Sequence, residues 1–323
     1  MATAVLEGWL ASWADAVLAW DLWRRHGSRE TPVTGGLKVP ASLDWLRGTA
    51  AGRDWLAALP EVLTEIAARW SLRLGEPYPG SYVSLVLPAT LPDGTAAVLK
   101  VQFPDRDSSH EAAALRLWDG DAAVRLLAHD EPRLALLIER CVPGTPLSDV
   151  VPELAIATFV DLLPRLWRAP VPPFASAEWE AARWASELVP RWEEAGRPCE
   201  RRLVDTAVAT LRALAGSQRE QVLLNQDLHA NNVLRAQRDP WLVIDPKPLI
   251  GERELAIAPI VRDYGLGHGR HQVVQRLDRL TSALGVDRER ARGWSFAKAM
   301  VWAFQDDDGM TRHLETARWL LAG

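Results

Sequence analysis

Between Arg53 and Trp70, apolar residues fall at Trp55, Leu56, Leu59, Leu63, Ile66 and Ala67. This single stripe at helical spacing predicts a helix. The period then drops to two. Ser81 to Leu87 alternates, and Ala96 to Gln102 carries Ala-Val-Leu-Lys-Val. Pro92-Asp93-Gly94 lies between them as a turn signal, so a hairpin is expected. Ser109 to Trp118 reads as helix. Val124 to Leu127 and Leu134 to Glu139 read as two further strands joined at Asp130 to Pro132. After Pro143-Gly144-Thr145-Pro146 the pattern turns helical, with stretches at about 148–168, 176–195, 199–215, 270–284, 288–304 and 311–321. One β-rich island, Val222 to Ile244, interrupts them. A sheet-rich first part, a Pro/Gly hinge and a helical second part with one embedded hairpin predict an α+β fold in two lobes.

The first 36 residues stand apart. Trp9, Trp13, Ala16, Trp20 and Trp23 follow helical spacing up to about Arg25, and turn formers run from Gly27 to Gly36. The expected organisation is therefore an extension over 1–36, a first lobe over 37–140, a hinge over 141–147 and a second lobe over 148–323.

Composition narrows the class without choosing a function. The formal net charge of −5 provides no basic field for nucleic acid. Two cysteines, Cys141 and Cys199, have no metal-binding spacing and cannot form a disulfide framework, which suits a reducing compartment. Neither a membrane-spanning apolar run nor a signal-peptide pattern is present, so a cytoplasmic location is expected. Tryptophan is overused, 16 against 5 Phe and 3 Tyr, and most of these indoles are expected to pack.

The island carries the candidate chemistry. Val222-Leu-Leu-Asn-Gln-Asp-Leu-His-Ala-Asn-Asn-Val-Leu-Arg is followed by Trp241-Leu-Val-Ile-Asp-Pro-Lys. Strand ends that present Asp and Asn together suit a hard cation, which prefers oxygen ligands. Phosphoryl transfer needs such metal ligands, a group that orients the nucleophile, and cations around the phosphates.

At this stretch the chain resembles the aminoglycoside phosphotransferase branch of the protein-kinase-like superfamily, whose loop reads His-Gly-Asp-Leu-His-x-x-Asn. Here it reads Asn225-Gln226-Asp227-Leu228-His229-Ala230-Asn231-Asn232. The resemblance implies a two-lobed kinase fold. It makes Asp227 the catalytic residue that places the acceptor hydroxyl, and Asn232 and Asp245 the ligands of Mg2+. Trp241-Leu-Val-Ile-Asp-Pro-Lys-Pro-Leu-Ile-Gly-Glu is similar to the Ile-Asp-Pro-Lys-Gly-x-x-Gly-Glu/Asp stretch of the streptomycin 6-kinase and hydroxyurea kinase subfamily, with Pro248 where a Gly is usual. Asn225 and Gln226 depart from the usual His and Gly, and a rearranged loop brace is expected.

The same resemblance assigns ATP contacts in the first lobe. Lys100 would pair with the α- and β-phosphates, and Glu111 would hold Lys100 in place. Ser81 and Ser84, in the hairpin over the phosphates, would offer hydroxyls or backbone N–H groups. Backbone groups of Glu139 and Cys141 would bond adenine, and His229 would contact phosphate or make a structural bond. The expected activity is transfer of the γ-phosphoryl of ATP to a hydroxyl of a cationic aminoglycoside antibiotic, streptomycin foremost, conferring resistance. Hydroxyurea or another small hydroxylated molecule is the alternative acceptor, and a weak ATP-binding regulator the alternative class. A polycation needs carboxylates and aromatic faces. The candidates are Trp302 with Asp306, Asp307 and Asp308, and Glu180 with Trp184 on an earlier helix.

Overall fold

The computed structural model describes residues 37–105, 110–304 and 309–322. The helix predicted before Arg25 lies outside the described residues. So do Asp306, Asp307 and Asp308. The chain divides into two units. One holds the described residues up to Gly120 with Val124–Cys141, and the other holds Asp121–Ala123 with the described residues from Val142 onward.

In the first unit a 3-10 helix, Ala41–Gly48, leads into helix α1, Ala50–Arg69. This helix begins three residues before the expected Arg53 because Thr49 caps it, its Oγ1 accepting from the amide of Gly52 at 3.0 Å. Pro60 sits mid-helix. Trp55, Leu56, Leu59, Leu63 and Ile66 all bury against a five-stranded antiparallel sheet. The strands are β1 (Arg73–Leu74), β2 (Ser84–Thr90), β3 (Ala96–Gln102), β4 (Leu126–Asp130) and β5 (Ala135–Glu139), in the order β1-β2-β3-β5-β4. Strand β3 is central, and Lys100 lies between Val86 of β2 and Leu136 of β5. The sequence places the fourth strand over Val124–Leu127, but the structure puts it two residues later. Val124 is fully buried ahead of the strand, and Asp130 closes the turn by accepting from the amide of Arg133. Helix α2, Glu111–Trp118, follows β3.

The second unit is mainly helical: α3 (Pro152–Leu166), α4 (Ala177–Glu194), α5 (Arg201–Ala215), a short α6 (Ala258–Val261), α7 (Arg270–Leu284), α8 (Arg288–Ala303) and α9 (Met310–Ala322). Its strands form two ladders. Strands β7 (Val233–Arg235) and β8 (Trp241–Val243) make the expected hairpin, and β6 (Gln221–Asn225) pairs with β9 (Pro248–Glu252). The island thus runs on past Ile244. Its last strand falls outside the expected island because Pro248 and Gly251 interrupt the apolar pattern there. Pro248 is tolerated as the first residue of the strand, opposite Asn225. Gly251 is required by packing, since a Cβ there would stand 2.8 Å from that of Ala177 on α4. No helix among the described residues is long and apolar enough to cross a membrane.

Candidate functional site

In the first unit the Lys100 ammonium lies 2.6 Å from Glu111 Oε2, with both residues buried. Gln102 Nε2 donates to the same oxygen at 2.8 Å, and Trp55 Nε1 donates to the Gln102 carbonyl at 3.0 Å. Burying an ion pair is expensive, and hydrogen bonds of this kind offset the cost while fixing the lysine in one geometry. The hydroxyls of Ser81 and Ser84 lie 3.0 Å apart, just after Gly80, which adopts a positive φ. Trp45 Nε1 holds the Tyr82 carbonyl at 2.9 Å between them. The amide of Glu139 donates to Arg125, so a bond from this residue to a base must come from its carbonyl. Cys141 is buried at the end of the unit.

In the second unit the ladders bring Asp227, Asn232 and Asp245 to one place. Pairing of Val233 with Val243 sets Asn232 beside Ile244, whose amide donates to the Asn232 carbonyl at 2.9 Å. Asn232 Nδ2 donates to the Asp227 carbonyl at 3.1 Å, which leaves Oδ1 as its acceptor. Asp245 takes a left-handed backbone, φ 48°, and Lys247 Nζ is 3.6 Å from its carboxylate. An amide oxygen and a carboxylate are the hard donors that fit magnesium, whose remaining positions go to phosphates and water.

The brace expected at Asn225 takes a definite form. Its buried Oδ1 accepts from the amides of both Asp227 and Lys247, each at 3.0 Å, and the Gln226 amide donates to the Lys247 carbonyl at 3.0 Å. One side chain therefore ties the loop of Asp227 to the loop of Asp245. His229 Nε2 stops 3.9 Å from Asp227 Oδ2, too long for a hydrogen bond.

Three residues that sequence reasoning passed over complete the surroundings. Arg262 NH2 donates to Asp227 Oδ1 at 3.2 Å. Buried Asp263 accepts from the amide of Ala230 at 2.6 Å and from that of Gly265 at 2.9 Å, so it pins the loop from below and caps the next turn. Arg276 on α7 donates to the carbonyls of Val261, Leu266 and Gly267, at 2.8 Å for its shortest contacts, and anchors the segment bearing Arg262 and Asp263. Burial holds the Arg276 guanidinium down to about 10, against the favourable charge of Asp263. Asp263-Tyr264-Gly265 was a readable Asx-turn signal. Arg262 and Arg276 carried none.

Of the acceptor candidates, Trp302 and Trp184 are brought together through Lys298. Its ammonium lies 3.8 Å from the ring centre of Trp184, 4.5 Å from that of Trp302 and 3.4 Å from Gln226 Oε1. The Arg262 guanidinium lies 3.7 Å from the Trp302 ring centre. Glu180 is buried and bonded to Arg183 at 2.6 Å on its own helix.

A sheet unit with a lysine–glutamate pair, and a helical unit whose ladders gather Asp227, Asn232 and Asp245, define a phosphotransferase of the protein-kinase-like class. The choline kinase LicA of Streptococcus pneumoniae shares the fold at a TM-score of 0.59 and 12% identity, over 81% of this chain and 98% of that one. More narrowly, the chain belongs to the family of aminoglycoside/hydroxyurea antibiotic resistance kinases, whose model matches residues 69–309. It is 38% identical to a hydroxyurea phosphotransferase of Kitasatospora aureofaciens over 84% of this chain and 82% of that one. It is also 36% identical to a streptomycin 6-kinase of Streptomyces glaucescens, over 84% and 90%.

Proposed function

We propose that this chain transfers the γ-phosphoryl of ATP, with magnesium, to the hydroxyl of a compact, uncharged acceptor of the hydroxyurea kind. The acceptor oxygen bonds to the γ-phosphorus, the bond from that phosphorus to the bridging oxygen breaks to release ADP, and the hydroxyl proton passes to the Asp227 carboxylate. Such general-base help is typically worth about 10²–10⁴-fold. Asn232 and Asp245 hold the metal, which supplies charge neutralisation on the phosphates when bound. Lys100, fixed by Glu111, does the same for the α- and β-phosphates. Ser81 and Ser84 bond phosphate oxygens, and the carbonyl of Glu139 with the backbone of Cys141 receives the base.

One observation carries the choice of acceptor. Arg262 and Lys298 rest over Trp302, and Lys298 also over Trp184, so the faces of both candidate indoles are met by the chain's own cations. A polycation has to compete with both for those faces, whereas an uncharged hydroxyl compound does not. The relative at 38% identity, named a hydroxyurea phosphotransferase, supports the same reading. A second reading, an aminoglycoside such as streptomycin, is supported by the 36% identical streptomycin 6-kinase and by the acids Asp306, Asp307 and Asp308. A coupled ADP-release assay across hydroxyurea, streptomycin, other aminoglycosides and short polyols tests both. Turnover with hydroxyurea and not with streptomycin is expected. Turnover with streptomycin alone, with an acceptor KM raised several-fold by Asp306→Asn, transfers the assignment to the second reading.

A further inference from the structure

The side chains of Gln226 and Asp227, adjacent in the loop, are each held by a cation. Lys298 Nζ donates to Gln226 Oε1 at 3.4 Å, and Arg262 NH2 donates to Asp227 Oδ1 at 3.2 Å. The two cations come from different elements, one from α8 and the other from the segment after α6. Both nevertheless lie on the same indole, that of Trp302, at 4.5 Å and 3.7 Å from its ring centre.

We infer that Trp302 is a positioning residue for phosphoryl transfer, a ring on which Arg262 and Lys298 rest and through which they set the side chains of Asp227 and Gln226. The inference rests on the reading that Asp227 receives the acceptor proton.

Three further features agree with it. The buried Nε of Arg262 has no hydrogen-bond acceptor among the described residues, so the guanidinium is not fixed by a full set of bonds. The ring contact and the bond to Asp227 remain to hold it. His313 stacks on Trp302 with its ring centre 6.2 Å away and its plane tilted by 29°, and it is almost wholly buried. Burial first, then the charge of Arg262, holds this histidine down to about 3, so it backs the indole as a neutral ring and adds no third positive charge. Arg276 fixes the carbonyls on both sides of Arg262, so the backbone that carries the guanidinium is itself anchored.

The role separates from acceptor stacking by where a substitution acts. Trp302→Leu removes the ring and is expected to lower kcat by about 10²-fold through misplacement of the carboxylate, with the acceptor KM within twofold of wild type. Trp302→Phe keeps an aromatic face and is expected to retain most of the turnover. Arg262→Ala is expected to lose kcat to a similar extent and to regain part of it in millimolar guanidinium. That rescue should vanish in the Arg262→Ala/Trp302→Leu double variant, where no ring remains to receive the ion. A raised acceptor KM with unchanged kcat in Trp302→Leu makes the indole an acceptor face and overturns the inference. Guanidinium rescue that survives loss of the ring overturns it as well. Hydrogen exchange over the peptide spanning Leu224 to Val233 needs no acceptor. Faster exchange there in Trp302→Leu, in a protein that melts as a folded unit, is expected, and unchanged exchange overturns the inference whatever the turnover. A wild-type protein that phosphorylates none of the acceptors sinks the proposed function instead, and the exchange measurement still decides the role of the ring.

Discussion

Asn225 and Lys247 are 22 residues apart in sequence, yet the Asn225 side-chain oxygen accepts the Lys247 amide at 3.0 Å and the Asp227 amide at the same distance. Replacing Asn225 by leucine leaves the partly buried amides of Asp227 and Lys247 without this acceptor, at about 1–3 kcal/mol each where water cannot reach. The expected outcome is a lowered urea midpoint together with a loss of kcat, because both loops loosen at once. A variant that keeps wild-type turnover and midpoint removes Asn225 from the brace.

Asp227→Ala and Asp245→Ala are each expected to nearly abolish transfer in a folded protein, but for different reasons. Loss of Asp227 spares nucleotide affinity. Loss of Asp245 weakens binding of the magnesium nucleotide, since a charged ligand is gone. Calorimetric titration with magnesium and a non-hydrolysable ATP analogue separates the two, and equal affinities in both variants would contradict the assignment of Asp245.

Arg276→Met tests the anchor beneath the site. The substitution keeps much of the aliphatic stem and strands the carbonyls of Val261, Leu266 and Gly267. A loss of about 3 kcal/mol in unfolding free energy is expected. Thermal and urea unfolding measure it, and a loss below about 0.5 kcal/mol, the range of ordinary surface changes, shows that water takes over the bonds.

Acid should destabilise the protein through two buried histidines. Burial holds His110 down to about 4. Burial, followed by the nearby Arg262 and His268, holds His313 down to about 3. An unfolded histidine takes up its proton near 6.5, so below that pH the unfolded chain binds more protons than the folded one. Their contribution is fully present above about pH 6.5 and is lost progressively as pH falls toward 4 and 3. Each costs on the order of 1 kcal/mol per pH unit within its window. His313→Phe keeps a ring against Tyr264 and Trp302 and should flatten the fall between pH 6.5 and 5. A curve as steep as that of wild type places the acid sensitivity elsewhere.

Deleting residues 1–36 is expected to leave turnover within about threefold, on the order of 0.7 kcal/mol in the barrier. Each residue proposed for chemistry lies after Leu37. A folded, inactive truncation shows that the tryptophan-rich segment belongs to the working enzyme.

Periodicity announced most of the fold, because a buried stripe in α1 and alternation in β3 are physical requirements written directly into residue order. Strand β9 escaped because Pro248 and Gly251 break its pattern. Their reasons lie outside the strand, in a first position that needs no ladder N–H and in the close approach of Ala177. At the site, Asp227, Asn232 and Asp245 were singled out by resemblance to a family loop that falls within one short stretch of sequence. Arg262 and Arg276 were not. Arginines near helix ends are common, and only the tertiary fold shows that one meets the carboxylate of Asp227 and the other meets backbone carbonyls. Gln226, which departs from the family's Gly, has a partner that sequence could not supply, Lys298, 72 residues downstream.

The backbone at Asp245 restricts how this position can change over generations. At φ 48°, asparagine, aspartate and glycine are the residues that settle with least strain, and a β-branched or bulky side chain is disfavoured before any metal is considered. Mutational drift to valine is therefore penalised twice, in folding and in chemistry. Asparagine is the exchange that removes the charge while leaving the chain path intact. A homologue carrying asparagine here would be expected to persist as a well-folded, catalytically silent protein with weakened affinity for the magnesium nucleotide.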